Sequence, residues 1–182
     1  VSRALNNRSN VDEQTREKVL EKAQSMGYTP NHVAKSLVSS KTYTIGVVIP
    51  EITHAFFPEV VRGIEEVTNT SDYQLFLTNA NEQFSREQDA IRTLQSKRVD
   101  GLLISSSQTV EDYSFYEQLI ESGTEVVFFD RCVEGIGAST VSVNDRDSAK
   151  AITEHLINEH GYTKIAHLSG PRNVSIGRKR FE

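Results

Sequence analysis

Residues 44–49 read Thr-Ile-Gly-Val-Val-Ile, a short run of apolar and β-branched residues in a chain of 182 residues. A strand that is buried on both faces has such a continuous apolar run, whereas a half-buried strand alternates apolar and polar residues. The run therefore predicts a buried strand, and the sequence that follows it shows what the strand packs against.

Five further β-rich runs follow, and helical stretches separate most of them. We predict these strands at residues 74–78, 101–104, 125–129, 140–143 and 164–168, and helices at 57–69, 88–97, 113–121 and 145–159. Within the first of these helices, Val60, Ile64 and Val67 share one face. Apolar strands that alternate with amphipathic helices are typical of βαβ units. The sequence from residue 44 onward therefore predicts an α/β fold with a mostly parallel sheet.

Aromatic and polar side chains follow the predicted strands. In open α/β sheets, ligands bind beyond the carboxyl ends of the strands. The residues found there are Phe56 and Phe57 after the first strand, Asn79 after the second, Ser105 after the third, and Asp130 and Arg131 after the fourth. Aromatic faces, a carboxylate, amides and hydroxyls together suit a pocket for a sugar or a nucleobase.

The first thirty residues have a purely helical pattern. Residues 1–5 are typical of the end of a helix, and the polar residues 6–10 predict a turn. Asp12 is placed to cap a second helix, in which Val19, Ala23 and Met26 form one apolar stripe. Gly27 is expected to end that helix. This segment therefore differs in class from the α/β pattern that follows it.

Charge is also distributed unevenly along the chain. Residues 1–43 contain seven Lys or Arg and four Asp or Glu, a net charge of +3, and the remaining residues contain 13 basic and 21 acidic side chains, a net charge of −8. A basic segment on an acidic body suits a protein that contacts phosphate with one end. A solvated helix face explains a charge of +3 equally well, so the motif decides between the two.

Three stretches near the N-terminus resemble the LacI/GalR (Lac repressor) family of transcription regulators. They are residues 1–7 (Val-Ser-Arg-Ala-Leu-Asn-Asn), residues 11–19 (Val-Asp-Glu-Gln-Thr-Arg-Glu-Lys-Val) and residues 27–37 (Gly-Tyr-Thr-Pro-Asn-His-Val-Ala-Lys-Ser-Leu). The resemblance implies a partial, all-α helix-turn-helix DNA-binding head at 1–30 and a hinge helix with its linker at 31–43. It also implies that residues 44–182 are the N-terminal subdomain of an effector-binding core of the type I periplasmic-binding-protein kind, whose C-terminal subdomain is missing.

The resemblance also implies which residues contact DNA. Arg3 and Asn6 match groove-facing and backbone-contacting positions, and Thr15 and Arg16 match positions that touch phosphate at a helix N-terminus. In the hinge, Leu37 matches an apolar wedge in the minor groove. The full set is Arg3, Asn6, Thr15, Arg16, Asn31, Val33, Ala34 and Leu37. The alternatives are that Arg3 is an ordinary surface arginine and that residues 31–37 are a linker with one buried leucine.

For the core, the resemblance implies an effector cleft. Phe56 matches a stacking aromatic, Asp130 a carboxylate beside the effector, and Arg180, nine residues after Pro171, an arginine that reaches the effector. The candidate set is completed by Phe57, Asn79, Ser105 and Arg131. Ile176 departs from the family pattern, which often has a small hydroxylated residue there, so a sugar, a sugar phosphate and a nucleobase all remain open as effectors.

Each effector candidate also has a structural interpretation. The two phenylalanines can be core residues, since most paired phenylalanines are. Asp130 can cap a loop, and residues 178–180 can be a solvated basic patch at the end of the chain.

Several other functions are not supported by the sequence. The run Gly135-Ile136-Gly137-Ala138-Ser139 lacks the third glycine of a dinucleotide loop and precedes a predicted strand. His155 and His160 are five residues apart, which predicts different faces of a helix. Cys132 is the only cysteine. We therefore expect no enzymatic activity, no cofactor and no metal site.

The sequence analysis thus predicts a bacterial, cytoplasmic, homodimeric transcription regulator, a repressor that binds operator DNA and a small-molecule effector. No apolar run approaches the ~20 residues of a membrane span, and no secretory signal is visible. One alternative is a periplasmic-type sugar-binding protein without a regulatory role, which has no use for residues 1–37. Another is a flavodoxin-like or dehydrogenase-type enzyme, which needs a phosphate-binding loop or redox chemistry.

Overall fold

A computed structural model of the chain describes residues 1–5, 9–28, 36, 41–53, 55–110 and 112–182, with only the backbone at residue 2. The chain divides into two compact units, residues 1–40 and residues 41–182. Each unit is described by itself.

The first unit contains helices α1 (Ser2–Leu5) and α2 (Glu13–Ser25). The carboxylate of Asp12 accepts hydrogen bonds from the backbone N–H of Thr15 at 3.2 Å and from its hydroxyl at 3.3 Å, so Asp12 caps α2 as predicted. Gly27 follows the helix with a φ of +61°, a left-handed conformation that favours glycine. Met26 does not share the predicted apolar stripe: it lies beyond the last turn, and 71% of its surface is exposed.

The second unit contains a five-stranded sheet with strand order β2-β1-β3-β4-β5, and all its neighbouring strands are parallel. The strands are β1 (Thr44–Ile49), β2 (Gln74–Asn79), β3 (Gly101–Ile104), β4 (Val126–Phe129) and β5 (Ser139–Val141). The helices are α3 (Phe56–Thr70), α4 (Phe84–Ser96), α5 (Ser114–Glu121), α6 (Asp145–Asn158) and α7 (Ser175–Phe181). The predicted α/β class and parallel sheet are confirmed.

The inner strands β1, β3 and β4 are mostly buried, which explains their continuous apolar runs, whereas β5 and half of β2 are exposed. Val48 packs on one face in a cluster that includes Ile91 of α4 and Tyr116 of α5. Val47 packs on the opposite face in a cluster with Phe57 of α3. Burial of each such side chain contributes about 1.5–3 kcal/mol to folding. Strand β1 therefore has no polar face, as its sequence indicates.

One predicted strand is absent from the structure, and one helix of the structure was not predicted. Residues 164–168 are not a strand, since no described strand pairs with them, and Leu168 is 97% exposed. An apolar β-branched run needs a neighbouring strand to satisfy its backbone hydrogen bonds. Helix α7 was not predicted, because seven residues with a glycine and three basic side chains show no apolar periodicity. None of the described helices has the length and apolar character needed to cross a membrane.

A substitution at Gly46 tests how closely β1, β3 and α4 pack together. A Cβ atom at Gly46 would lie 2.7 Å from Cδ2 of Leu102 and 2.8 Å from Cδ1 of Leu94. We expect Gly46→Ala to lower the free energy of unfolding by about 1–3 kcal/mol, because it overpacks the core. Urea denaturation at equilibrium measures the change.

Gly63 of α3 provides the matched control, because no atom lies within 4 Å of a Cβ built there. Gly63→Ala is expected to raise the free energy of unfolding by about 0.5–1 kcal/mol, since alanine loses less conformational entropy in a helix. Equal effects of the two substitutions would contradict this description of the core.

Candidate functional site

The strand order places the candidate site at the carboxyl edge of the sheet. In the order β2-β1-β3-β4-β5, the direction of winding changes between β1 and β3. Ligands of doubly wound sheets bind in the crevice outside this point. The segments that follow the strands are residues 50–55, 80–83, 105–113, 130–138 and 142–144.

Backbone hydrogen bonds tie these segments to one another. The N–H of Glu82 donates to the carbonyl of Pro50 at 2.7 Å, which joins the segments after β2 and β1. Both the N–H and the hydroxyl of Ser106 donate to the carbonyl of Arg131, at 3.2 Å and 3.0 Å. The segments after β3 and β4 are therefore also fixed to each other.

Arg131 forms an ion pair with Glu82 across this edge. Its Nη1 lies 2.7 Å and 2.8 Å from the two carboxylate oxygens of Glu82, and both side chains are largely buried. Glu82 also accepts the N–H of Gln108 at 3.1 Å. Within the described part of the chain, Nε of Arg131 is buried without a hydrogen-bond partner. Arg131 was predicted to contact the effector. In the structure its Nη1 instead joins the segments after β2 and β4 through Glu82.

A buried carboxylate lies beneath the segment after β3. Glu87 of α4 accepts the N–H of Ser107 at 2.8 Å, its hydroxyl at 2.5 Å, and the hydroxyl of Tyr116. Burial raises the pKa of Glu87 above its ordinary value of 4.5, and the donors from Ser107 and Tyr116 offset only part of that effect. Sequence reasoning missed Glu87, because a glutamate in the first turn of a helix looks like an ordinary surface residue.

The two phenylalanines after β1 have different environments. Phe56 is 50% exposed, at the start of α3, whereas Phe57 is 3% exposed and packs edge-on against Phe129. The Phe56 and Phe57 rings contact each other with their centroids 5.3 Å apart. The structure therefore leaves Phe56 accessible to a ligand and assigns Phe57 to the core, as the structural interpretation expected.

Ser105 and Asn79 are less accessible. Ser105 is fully buried, and its hydroxyl has no hydrogen-bond partner among the described residues. The side chain of Asn79 closes a local turn: its Nδ2 donates to Oδ1 of Asn81 at 2.7 Å, and its Oδ1 accepts the N–H of Asn81 at 3.2 Å. Neither side chain is presented to a ligand as directly as Phe56.

The segment after β4 brings together a group of four charged residues. Asp130 has a φ of +57° and is half-buried. Burial raises its pKa, with Asp145 acting in the same direction, whereas Arg131 and Arg180 act to lower it. Nε of Arg180 lies 2.6 Å from Oδ1 of the buried Asp145, while the Arg180 side chain is 52% exposed. The structure thus places Arg180 within electrostatic range of Asp130, and adds Asp145, which the sequence analysis did not single out.

Helix α7 positions Arg180 through close backbone packing. A Cβ atom at Gly177 would lie 2.0 Å from the carbonyl oxygen of Pro171, so only glycine permits this approach. The hydroxyl of Ser175 accepts the N–H of Cys132 at 3.1 Å. Arg178 and Lys179 form ion pairs with Glu134, at 3.0 Å and 2.6 Å. Residues 178–180 are therefore three paired cations and not only a solvated patch.

The predicted DNA contacts of the first unit are described only in part. Arg3 is exposed. The N–H and hydroxyl of Thr15 are directed to the Asp12 carboxylate, and Nη1 of Arg16 lies 4.0 Å from a carboxylate oxygen of Glu13. The other predicted contacts, Asn6, Asn31, Val33, Ala34 and Leu37, lie outside the described residues.

One prediction about histidines is wrong. His155 and His160 were expected on different faces of a helix, but their Nε2 atoms lie 3.2 Å apart. Helix α6 ends at Asn158, so His160 lies beyond the helix and folds back on His155. Across the residues that the structure describes, no group of three or more His, Cys, Asp or Glu side chains is arranged to hold a metal ion.

Comparison with known proteins divides the chain between residues 31 and 42, close to the boundary between the two compact units. The family profile "Bacterial regulatory proteins, lacI family" matches residues 1–31, and the profile "Periplasmic binding proteins and sugar binding domain of LacI family" matches residues 42–182. The ribose operon repressor of Halalkalibacterium halodurans is 35% identical over 182 residues, which are 100% of this chain and 53% of that protein. The chain thus spans about half the length of the curated relatives it matches.

Two solved structures show the same architecture. The Lac repressor dimer bound to operator and the anti-inducer ONPF has a TM-score of 0.84 at 23% identity, over 99% of this chain and 54% of that chain, which shows the fold. A periplasmic binding protein/LacI transcriptional regulator from Alkaliphilus metalliredigens QYMF, complexed with D-xylulofuranose, has a TM-score of 0.67 at 28% identity, over 76% of this chain and 49% of that chain.

Glu87 gives a pH-dependent test of the carboxyl edge. Because its pKa is raised above 4.5, folded Glu87 retains a proton that the unfolded chain has already released. Its contribution to stability is therefore present at low pH and is lost as the pH rises through the folded pKa. We expect the free energy of unfolding of the wild type, minus that of Glu87→Gln, to fall as the pH increases above 4.5.

Urea denaturation at a series of pH values measures this difference. Glu66→Gln is the control, because Glu66 is an exposed residue of α3. A difference between the wild type and Glu87→Gln that does not change with pH would contradict the assignment.

Proposed function

Since this chain belongs to the LacI family of bacterial regulatory proteins, we propose that the whole protein is a sequence-specific DNA-binding transcription regulator, a repressor whose operator affinity is set by a small-molecule effector. The observation that carries the proposal is the order of the two family profiles, a regulatory head followed by a sugar-binding core, on one continuous chain. In this proposal residues 1–30 belong to the DNA-binding head, 31–43 are the hinge helix and linker, and 44–182 are the N-terminal subdomain of the core.

The head and the hinge supply the DNA contacts in this proposal. Arg3 and Asn6 contact the groove and backbone, Thr15 and Arg16 contact phosphate, and the hinge segment with Asn31, Val33, Ala34 and Leu37 enters the minor groove. Two copies are required, because a homodimer presents two heads to the two half-sites of an operator. The exposed side chain of Arg3 supports its role. Thr15 must release Asp12 to donate its hydroxyl to a phosphate, since that hydroxyl is bonded to Asp12 in the free chain.

The carboxyl edge of the sheet supplies the effector contacts. Phe56 offers an exposed aromatic face, and Asp130 and Arg180 offer a carboxylate and a guanidinium at the end of β4. An apolar face with a few oriented polar groups is the usual lining of a sugar site. A sugar or sugar derivative is therefore the proposed effector, in keeping with the sugar-bound relative. Asn79, Ser105 and Arg131 shape the loops around these three residues, and Phe57 supports Phe56 from the core.

Residues 1–31 distinguish this proposal from its rival. A periplasmic-type sugar-binding protein shares the core but does not use a DNA-binding head, whereas the regulatory profile matches those residues. The chain's relatives are named as regulators, and we propose that this protein likewise has no catalytic activity. Its place of action is the cytoplasm, because that is where bacterial operator DNA lies.

The two binding events are linked in this mechanism. An effector that binds one arrangement of the dimer more tightly than another shifts the population toward that arrangement. If the effector changes operator affinity by some factor, operator DNA must change effector affinity by the same factor. Effector binding at the carboxyl edge therefore changes DNA binding only if the effector has different affinities for the two arrangements of the dimer.

Asp130→Asn in the full-length protein tests the effector site. Asparagine adopts positive φ readily, so the substitution removes the charge without straining a backbone with a φ of +57°. We expect the variant to bind the operator normally but to need at least about tenfold more effector to change that binding, because a charged hydrogen bond is lost. Randomised DNA selection supplies the operator, and titration with D-ribose, D-xylulose and their phosphates measures the response.

Asp72→Asn is the matched control, since Asp72 is an exposed aspartate with a φ of +59° that lies away from the carboxyl edge, between α3 and β2. It should respond like the wild type. A normal effector response in Asp130→Asn would remove Asp130 from the site, and the absence of any enriched operator for the wild type would overturn the proposed function.

A further inference from the structure

The start of the second unit is held by one carboxylate at the amino edge of the sheet. Asp100 immediately precedes β3, and residues 41–43 immediately precede β1. Oδ1 of Asp100 accepts the N–H of Thr42 at 2.8 Å and its hydroxyl at 3.0 Å, and Oδ2 accepts the N–H of Tyr43 at 2.9 Å. A single side chain thus satisfies two consecutive backbone N–H groups outside the sheet.

The hydroxyl of Thr42 adds further contacts to the same corner. It lies 2.8 Å from the carbonyl oxygen of Arg98, which is an alternative acceptor to Asp100 for its single proton. It also lies 2.6 Å from the hydroxyl of Thr44, which can donate to it. The chain before β1 is therefore fixed to the segment between α4 and β3 by both backbone and side-chain groups.

Tyr43 is held in a conformation that tyrosine rarely adopts. Its φ is +55°, in the left-handed region that is unfavourable for a bulky residue. Its ring centroid lies 5.5 Å from that of Tyr73, and its carbonyl accepts the N–H of Gln74 at 2.8 Å. Such a conformation persists only where the surroundings determine it, so the bend at Tyr43 depends on these contacts.

The negative charge on Asp100 strengthens its hydrogen bonds to Thr42 and Tyr43. Burial acts to raise the pKa of Asp100, but the donors from Thr42, Tyr43 and Tyr73 together lower it below its ordinary value. Asp100 is therefore ionised across the neutral range, where a carboxylate is a stronger acceptor than a neutral amide.

We propose that Asp100 is a positioning residue that fixes where the chain leaves the core and thereby sets the separation of the two DNA-binding heads in the dimer. This inference rests on the proposed function. Lys41 is the first residue of the second unit, so residues 41–43 are the segment through which any signal between the units must pass along the chain. Ordering a residue costs conformational entropy, and freeing three residues would lengthen the linker and spread the possible positions of each head.

The experiment uses the full-length protein as the wild type, Asp100→Ala and Asp100→Asn. The contacts of Asp100 with Thr42 and Tyr43 form a linker clamp. Backbone amide hydrogen exchange at Thr42 and Tyr43 measures whether this clamp is intact. We expect exchange at both amides to be at least about tenfold faster in Asp100→Ala, because each amide loses the Asp100 carboxylate as its acceptor, while β1 stays protected. Asp100→Asn keeps one carbonyl oxygen and is expected to retain protection at one of the two amides.

Operator binding measures the positioning role. The operator selected by the wild type is compared with operators in which one or two base pairs are inserted between the half-sites. We expect Asp100→Ala to reduce the wild-type preference for the selected spacing by about tenfold, because a looser linker tolerates other separations. Variants that are merely less stable lose affinity for every spacing equally and keep the preference.

The outcomes separate the inference from the function on which it rests. Asp89→Ala, which removes an exposed side chain of α4, is the control and should leave both readouts unchanged. Unchanged exchange at Thr42 and Tyr43, or faster exchange with an intact spacing preference, would overturn the positioning role of Asp100. If the wild type selects no operator at all, the proposed function fails, and the exchange data still report whether the clamp exists.

Discussion

The parallel direction of all five strands is the constraint from which the arrangement of this molecule follows. In a parallel sheet, each connection must carry the chain back from the carboxyl edge to the amino edge. Residues that follow strands, such as Phe56 and Asp130, therefore collect at one edge of the sheet, and residues that precede strands, such as Thr42 and Asp100, collect at the other. The proposed effector site and the proposed linker clamp lie at opposite edges because the topology leaves them no common edge.

Carboxylates organise both edges. At the carboxyl edge, Glu82 ties the segments after β2 and β4, Glu87 holds the segment after β3, and Asp145 holds Arg180. Burying a charge is costly unless it is paired or hydrogen-bonded, and removing one partner leaves that cost uncompensated. Each of these carboxylates therefore permits few alternative arrangements of the loop segments that it joins. These carboxylates therefore select one loop arrangement, and they do so without a large net contribution to the free energy of unfolding.

The sequence predicts the elements better than the contacts between them. Residues 44–49 and 101–104 are found as strands with the predicted bounds, because a doubly covered sheet leaves a continuous apolar run. The same rule fails at residues 164–168, since an apolar run records a need for burial and not the presence of a neighbouring strand. At the site, Phe56 and Phe57 look identical in sequence, and only the packing on Phe129 separates the exposed ring from the core ring. Glu87, Asp145 and Asp100 carry no local signal, because their partners are between 20 and 58 residues away along the chain.

The stiffness of the sheet limits how the two edges can communicate. Tyr43 and Pro50 flank β1, and Asp100 and Ser105 flank β3, so two adjacent strands join the clamp to the candidate site. The six residues of β1 span roughly 20 Å. Both strands are packed on each face, and packed cores switch between discrete arrangements and do not bend continuously. Under the proposed function, an effector at the carboxyl edge would therefore act by reorienting the sheet as a body within the dimer. That movement would reach the DNA only if the chain leaves the sheet at a fixed point, and the contacts of Asp100 with Thr42 and Tyr43 are proposed to meet this requirement.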